Sequence, residues 1–201
     1  YNITFILGVP NMFRKMFEEK HFAGPHLRNL RLVFCGGDFL PERFVKEFNK
    51  KIAAYGGKGK LFRGYGLTEV GSVCTVNCYD AVREESVGRP LKGMTVEIWD
   101  DMKNRLPAGQ NGEIVVKGTT VMQGYFSGDN TVINDGVYVD KSGDRWVLTG
   151  DLGYMDKDGF VYFTGRKKRM IIISGYNVYP IDIENAVLEL PFVNEVCAVQ
   201  G

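Results

Sequence analysis

Six consecutive residues, Gly64-Tyr65-Gly66-Leu67-Thr68-Glu69, gather two glycines, an aromatic face, a hydroxyl and a carboxylate. Glycines admit a ligand close to the backbone, and a tyrosine ring stacks on a nucleobase for about 1–3 kcal/mol. A threonine hydroxyl donates to a phosphate oxygen, and a glutamate can hold Mg²⁺ beside that phosphate. The chemistry this composition suits is nucleotide binding. A surface turn around a buried tyrosine explains the same hexapeptide equally well. It is not a dinucleotide fingerprint, because Glu69 stands where the third glycine belongs, and Gly59-Lys60 is not part of a GxxxxGK loop.

A second group is Thr149-Gly150-Asp151 followed by Gly165-Arg166, which sets a carboxylate and a guanidinium at the ends of neighbouring β segments. Asp151 can accept from ribose hydroxyls and Arg166 can donate to the same sugar. A plain Asp–Arg salt bridge is the competing account.

The elements that must carry these residues change character along the chain. Up to about residue 70 the pattern is α/β: Met12, Phe13, Met16 and Phe17 share a helical face, Leu30 to Cys35 is a short apolar strand, and Phe44, Val45, Phe48 and Ile52 mark a second helix opened by Pro41. Lys60 to Arg63 resumes as a strand and runs into the glycine segment, which reads as a loop, a ligand-binding position in open α/β sheets. From about Ser86 short strands separated by turns take over: Val96 with Ile98, Glu113 to Lys117, Gly136 to Val139 and Val161 to Phe163. Asp156-Lys157-Asp158-Gly159 reads as a hairpin turn, since a calcium loop needs several more oxygen ligands. After Arg166 to Arg169 come a strand at Met170 to Ile173, a turn at Gly175, a helix opened by Pro180, and a strand at Val193 to Val199.

Composition excludes several classes. Lys plus Arg number 25 and Asp plus Glu 24, a net +1, which gives no field for nucleic acid. No apolar run approaches the roughly 20 residues of a membrane span, and neither GxSxG nor HExxH is present. Cys35, Cys74, Cys78 and Cys197 form no CxxC pair and read as core thiols of a reduced, cytoplasmic protein rather than zinc ligands.

The two groups together, with Lys167-Lys168, Ser174-Gly175-Tyr176-Asn177-Val178-Tyr179-Pro180 and Ile183-Glu184, resemble the adenylate-forming superfamily of acyl-CoA synthetases, amino-acid adenylation domains and firefly luciferase. Val9-Pro10 through Met16, Gly36-Gly37-Asp38, Gly88-Arg89-Pro90, Leu106-Pro107-Ala108-Gly109 with Gly112-Glu113-Ile114, and Gly124-Tyr125 extend the resemblance over essentially all 201 residues. Gly64 to Glu69 and Trp146 to Gly159 look most like acyl-CoA synthetases of the fatty-acid–CoA ligase kind.

The resemblance implies an α/β fold. Residues 1–85 would be the α/β portion of the large adenylate-forming domain, 86–167 a small β-barrel, and 168–201 the start of a small α+β C-terminal domain. Gly36, Gly37 and Asp38 would line the adenine and acyl pockets. Gly64, Tyr65 and Gly66 would border the nucleotide, with Tyr65 stacked on adenine. Thr68 would bind the α-phosphate, Glu69 would bind Mg²⁺, and Asp151 and Arg166 would grip the ribose. Lys168 matches the hinge about which the C-terminal domain rotates between half-reactions, and Gly175 the loop that then lines the pantetheine tunnel. The implied partners are ATP, a carboxylic acid and coenzyme A: the acid attacks the α-phosphate, pyrophosphate leaves, and a thiolate attacks the acyl-adenylate. The rival accounts are a non-catalytic nucleotide- or protein-binding scaffold and an amino-acid adenylation domain. The family's Gly/Ser/Thr-rich phosphate loop ending in Lys and its adenylation lysine are not among the 201 residues, so the chain reads as an excised fragment that catalyses no adenylation alone.

Overall fold

A computed structural model describes residues 2–38, 40–78, 81–128, 132–173, 176–188, 190, 192–193 and 196–199. The chain divides into two compact units, 1–91 and 92–201.

In the first unit β1 (Phe5–Gly8), α1 (Pro10–Glu18), β2 (Leu32–Cys35), α2 (Glu42–Ala54), β3 (Lys60–Leu67), β4 (Ser72–Val76) and β5 (Arg89–Pro90) follow one another. They build a five-stranded sheet in the order β1-β2-β3-β4-β5. The first three strands are parallel, whereas β4 runs antiparallel to both β3 and β5.

Pro10 occupies the first turn of α1, where its missing N–H costs nothing. Both helices form because their apolar residues recur on one face. Phe13 of α1 and Val45, Phe48 and Ile52 of α2 are buried in one cluster with Leu27, Val33 and Leu61. Phe48 is the hub: its ring lies 5.6 Å from Phe13 edge-on, 6.0 Å from Phe17, 5.3 Å from Phe22 and 5.9 Å from Phe44. Lys51 completes the cluster by donating to Phe17 O at 2.8 Å with its ammonium 3.6 Å above that ring.

In the second unit β6 (Met94–Trp99), β7 (Gly112–Gly118), β8 (Tyr125–Phe126), β9 (Val132–Ile133), β10 (Val137–Val139), β11 (Arg145–Met155), β12 (Val161–Arg166), β13 (Ile171–Ile173), β14 (Tyr176–Val178) and α3 (Pro180–Leu188) follow. The main sheet is antiparallel, in the order β10-β11-β7-β6 with β12 added to β11; β8 with β9 and β13 with β14 are separate two-stranded pairs. Trp99, Val115 and Trp146 form its buried centre, the two indoles 4.9 Å apart.

Aspartates close the turns. Asp100 Oδ1 accepts from Asn104 N, Asp140 Oδ1 from Ser142 N and Asp144 N, and Asp156 Oδ1 from Asp158 N and Phe160 N. The hairpin at Asp156 to Gly159 is as its sequence indicates, with Gly159 at φ +82.

Three expectations need correction. Gly64 to Leu67 is not a loop but the second half of β3, because Ser72 to Val76 pairs with it. Val193 and Val196 to Val199 carry no strand. An apolar run becomes a strand only where a neighbour takes its backbone groups, and here the Ala198 N–H goes to Glu184 Oε1 at 3.0 Å. The cysteines are not uniformly core: Cys35 and Cys74 are buried, Cys78 is half-buried and Cys197 is exposed.

Burial pushes the Cys35 thiol up to about 12, against the pull of Arg14 and Arg63. Iodoacetamide at neutral pH is therefore expected to alkylate Cys197 first and to leave Cys35 and Cys74 intact until the chain unfolds. Peptide mass mapping over time checks this; early loss of the Cys35 thiol would contradict it.

Candidate active site

Because β1, β2 and β3 are parallel, their carboxyl ends share one edge, at Gly8, Cys35 and Arg63. Segments leaving that edge are Val9-Pro10, Gly36-Gly37-Asp38 and Gly64 onward. The crevice outside such ends is where open α/β sheets take ligands. Gly36 is tied to the first strand by its N–H on Gly8 O at 3.1 Å, and Gly37 at φ +88 turns the chain out so that Gly37 and Asp38 are exposed. Arg63, at the same edge, is held by Glu42 at 2.6 Å and Leu40 O at 3.3 Å. Burial depresses its pKa and raises that of Glu42, so desolvation outweighs the attraction within the pair.

The glycines of the hexapeptide serve the protein's own packing. A Cβ at Gly64 would collide with the Phe34 ring, and one at Gly66 with the Ser72 carbonyl. Tyr65 is half-buried opposite Thr75, at a bulge between Tyr65 and Gly66. The chain then makes one 3₁₀ turn over Thr68–Val70, closed by Gly71 N on Thr68 O at 3.0 Å with Gly71 at φ +80. Val70 is buried and anchors this turn, which leaves Thr68 exposed and Glu69 half-buried. Among the described residues no three His, Cys, Asp or Glu side chains cluster as a metal cage. A divalent cation at Glu69 would need phosphate and water for its remaining ligands, the usual coordination of Mg²⁺.

In the second unit Asp151 and Arg166 are opposite one another on β11 and β12, with Arg166 Nε 3.3 Å from Asp151 Oδ1. The pair is lopsided: the Asp151 side chain is 6% exposed and that of Arg166 69%. Asp151 ends an interruption of the β7–β11 ladder. Leu148 faces Val115 and Leu152 faces Glu113, which leaves Thr149, Gly150 and Asp151 outside the register. Side chains replace the missing ladder: Thr149 Oγ1 donates to Ile114 O at 2.6 Å and accepts from Asp151 N at 3.0 Å, while Gly150 N donates to Glu113 Oε1 at 3.0 Å.

Lys168 is exposed in the single 3₁₀ turn Lys167–Arg169 that links β12 to β13. Lys167 donates to Asp101 Oδ1 at 2.6 Å and to Glu113 Oε2 at 3.3 Å. The Asp101 bond, with the Glu113 charge behind it, holds the lysine above its ordinary range. Arg169 pairs with Glu184 at 2.6 Å. Gly175 lies outside the described residues. Sequence reasoning missed the contacts of Glu113 and Lys167; the only signal was that Gly112-Glu113-Ile114 belongs to a motif.

The expected residues thus fall into two groups in different units, Gly36 to Asp38 with Gly64 to Glu69 in one and Asp151 with Arg166 in the other. No helix among the described residues is long and apolar enough to cross a membrane.

Comparison with known proteins bears on the family of the chain as a whole. A long-chain-fatty-acid–CoA ligase of Escherichia coli O6:H1 is 36% identical over 203 aligned positions, which take in 99% of this chain and 34% of the relative. ATP-bound MatB from Rhodopseudomonas palustris superposes with a TM-score of 0.83 at 29% identity, covering 98% of this chain and 37% of that one. The o-succinylbenzoate CoA synthetase of Bacillus subtilis, in complex with its acyl-adenylate intermediate OSB-AMP, gives 0.80 at 29% identity, covering 100% and 38%. The chain spans about a third of the length of the curated relatives it matches. The AMP-binding enzyme family matches residues 1–126; with the motifs continuing beyond that span, the chain belongs to this adenylate-forming, acyl-CoA-synthetase-like family.

Proposed function

We propose that the full-length protein is an ATP- and Mg²⁺-dependent acid–thiol ligase that activates a carboxylic acid as acyl-AMP and passes it to coenzyme A. The observation that carries this reading is the Asp151–Arg166 pair, 3.3 Å apart on adjacent strands at the end of a built interruption in the sheet. A buried carboxylate flanked by an exposed guanidinium suits the two hydroxyls of a ribose. Tyr65 would stack on the adenine and Thr68 would donate to the α-phosphate. Glu69 would hold Mg²⁺, which offsets the charge of the departing pyrophosphate. Positioning and electrostatics account for both half-reactions.

The domain reading follows the same roles. Residues 1–85 and 86–167 would be the α/β and β-barrel portions of the large domain and 168–201 the start of the small one. Rotation about Lys168 would bring the Gly175 loop to the thiol tunnel. The exposed 3₁₀ turn at Lys168 supports that role, since backbone change there disturbs no core. The relatives' names support a CoA ligase, and they span fatty and aryl acids, so the acid itself is a matter for screening.

The test is stoichiometry. With ATP, Mg²⁺, CoA and a panel of fatty and aryl acids, the full-length protein is expected to release AMP and pyrophosphate in equal amounts, only when an acid is present. Nucleotide binding without AMP release would favour the scaffold account. The 201 residues alone are expected to release no pyrophosphate above a no-enzyme control, because the family's lysine-ended phosphate loop is not among them.

A further inference from the structure

We infer that Glu113 is a positioning residue for nucleotide recognition, acting through the Thr149–Asp151 interruption; this rests on the reading of Asp151 as the ribose acceptor. An antiparallel ladder normally sets one residue opposite one. Here the register passes from Leu148 opposite Val115 to Leu152 opposite Glu113, so Thr149, Gly150 and Asp151 all stand against Ile114. Such an insertion removes ladder partners from the backbone and relaxes unless something else takes them.

Glu113 takes one of them and adds a second contact with the other carboxylate oxygen. Oε1 accepts from Gly150 N at 3.0 Å, and Oε2 lies 3.3 Å from Lys167 Nζ. Gly150 immediately precedes Asp151, and Lys167 immediately follows Arg166. One carboxylate therefore reaches both flanks of the Asp151–Arg166 pair, one on β11 and the other on the 3₁₀ turn that follows β12. Gly150 sits at φ +69, so its backbone is already in the turned conformation that the Glu113 bond fixes.

The two contacts differ in weight. The Glu113 side chain is 15% exposed, but Lys167 is 43% exposed and has Asp101 as a nearer partner at 2.6 Å. A screened, shared ion pair contributes little. The hydrogen bond from Gly150 is the one that matters, and it needs an oxygen at this position rather than a charge.

In the full-length protein, E113A is expected to raise the ATP KM about tenfold, the upper end for the loss of an ordinary hydrogen bond, with the KM for the acid unchanged. E113Q, which keeps an acceptor for Gly150, is expected to stay within about twofold of wild type. A purely structural role would lower Tm and kcat in E113A without separating the two KM values. Because Glu113 acts through Asp151, E113A placed on D151A should add almost nothing to the ATP KM; independent, multiplying effects would overturn the inference. Wild-type ATP KM in E113A beside a large effect in D151A would overturn it too, leaving the nucleotide reading intact. No effect of D151A would remove the nucleotide reading and this inference with it. Should E113A fail to fold, E113D, one methylene short of Gly150, replaces it. Impaired binding in E113Q but not in E113D would place the weight on charge and reject the inference.

Discussion

Asp151→Ala is expected to weaken ATP binding by the full-length protein tenfold to hundredfold, read as KM or as Kd, with a change in Tm of only a few degrees. The magnitude follows from a charge-assisted hydrogen bond, about 1.5–3 kcal/mol, to a sugar hydroxyl that loses its acceptor. The small stability effect follows from the pair's geometry. Arg166 is 69% exposed, so its attraction for Asp151 is screened and adds little to folding. An ion pair kept for stability would give the opposite pattern, in which D151A and R166A both lower Tm and the ATP KM stays put. R166M should repeat the KM effect at smaller size, because an exposed donor is more readily replaced by water than a buried acceptor. An unchanged ATP KM in D151A removes Asp151 from the site.

That prediction was legible in the sequence in part: Asp156 to Gly159 announces a hairpin and Gly165-Arg166 does end an apolar β segment, but Thr149-Gly150-Asp151 lies inside β11 and not at the end of a segment. The turn fixes Met155 opposite Val161, and an unbroken ladder from there would set Asp151 opposite Gly165; the irregularity between Leu152 and Gly153 shifts the register by one residue and brings Arg166 opposite Asp151, which the turn alone does not foretell. Helices α1 and α2 were readable from periodicity: Met12, Phe13, Met16 and Phe17, and Phe44, Val45, Phe48 and Ile52, have the spacing of an apolar face, of which Phe13, Val45, Phe48 and Ile52 are buried and the others half-buried against the same cluster.

What escaped the sequence depends on partners that arrive from elsewhere in the chain. Gly64 to Leu67 reads as a loop because glycines break periodicity; the strand exists because Ser72 to Val76 returns through the turn at Gly71. Val193 to Val199 has strand composition, yet the Ala198 amide finds the Glu184 carboxylate. Glu113 looks like any outward glutamate of a strand, since period-two alternation cannot foresee that the opposite strand carries extra residues whose amide needs an acceptor. Cys197 followed the apolar run it sits in and is exposed all the same.

The glycines themselves give the second large effect. Gly66→Ala is expected to destabilise the protein by about 3 kcal/mol or more, at the upper end of overpacking costs, because the new methyl meets the Ser72 carbonyl and the Val73 backbone rather than a movable side chain. Backbone cannot step aside without parting β3 from β4, and β4 is what converts the glycine segment from loop to strand. Gly64→Ala should be milder, since part of its clash is with the end of the Phe34 ring, which can turn. Thermal or urea unfolding of the two variants beside wild type reads the difference. The outcome also decides what the motif's glycines are for. If they make room for the neighbouring strand, stability falls first and the surviving folded fraction of Gly66→Ala binds nucleotide through Asp151 and Arg166 with modest loss. If they make room for the ligand, Gly66→Ala melts near wild type and fails to bind ATP. The collision at Gly66 is with the protein's own backbone, which places the first outcome ahead of the second.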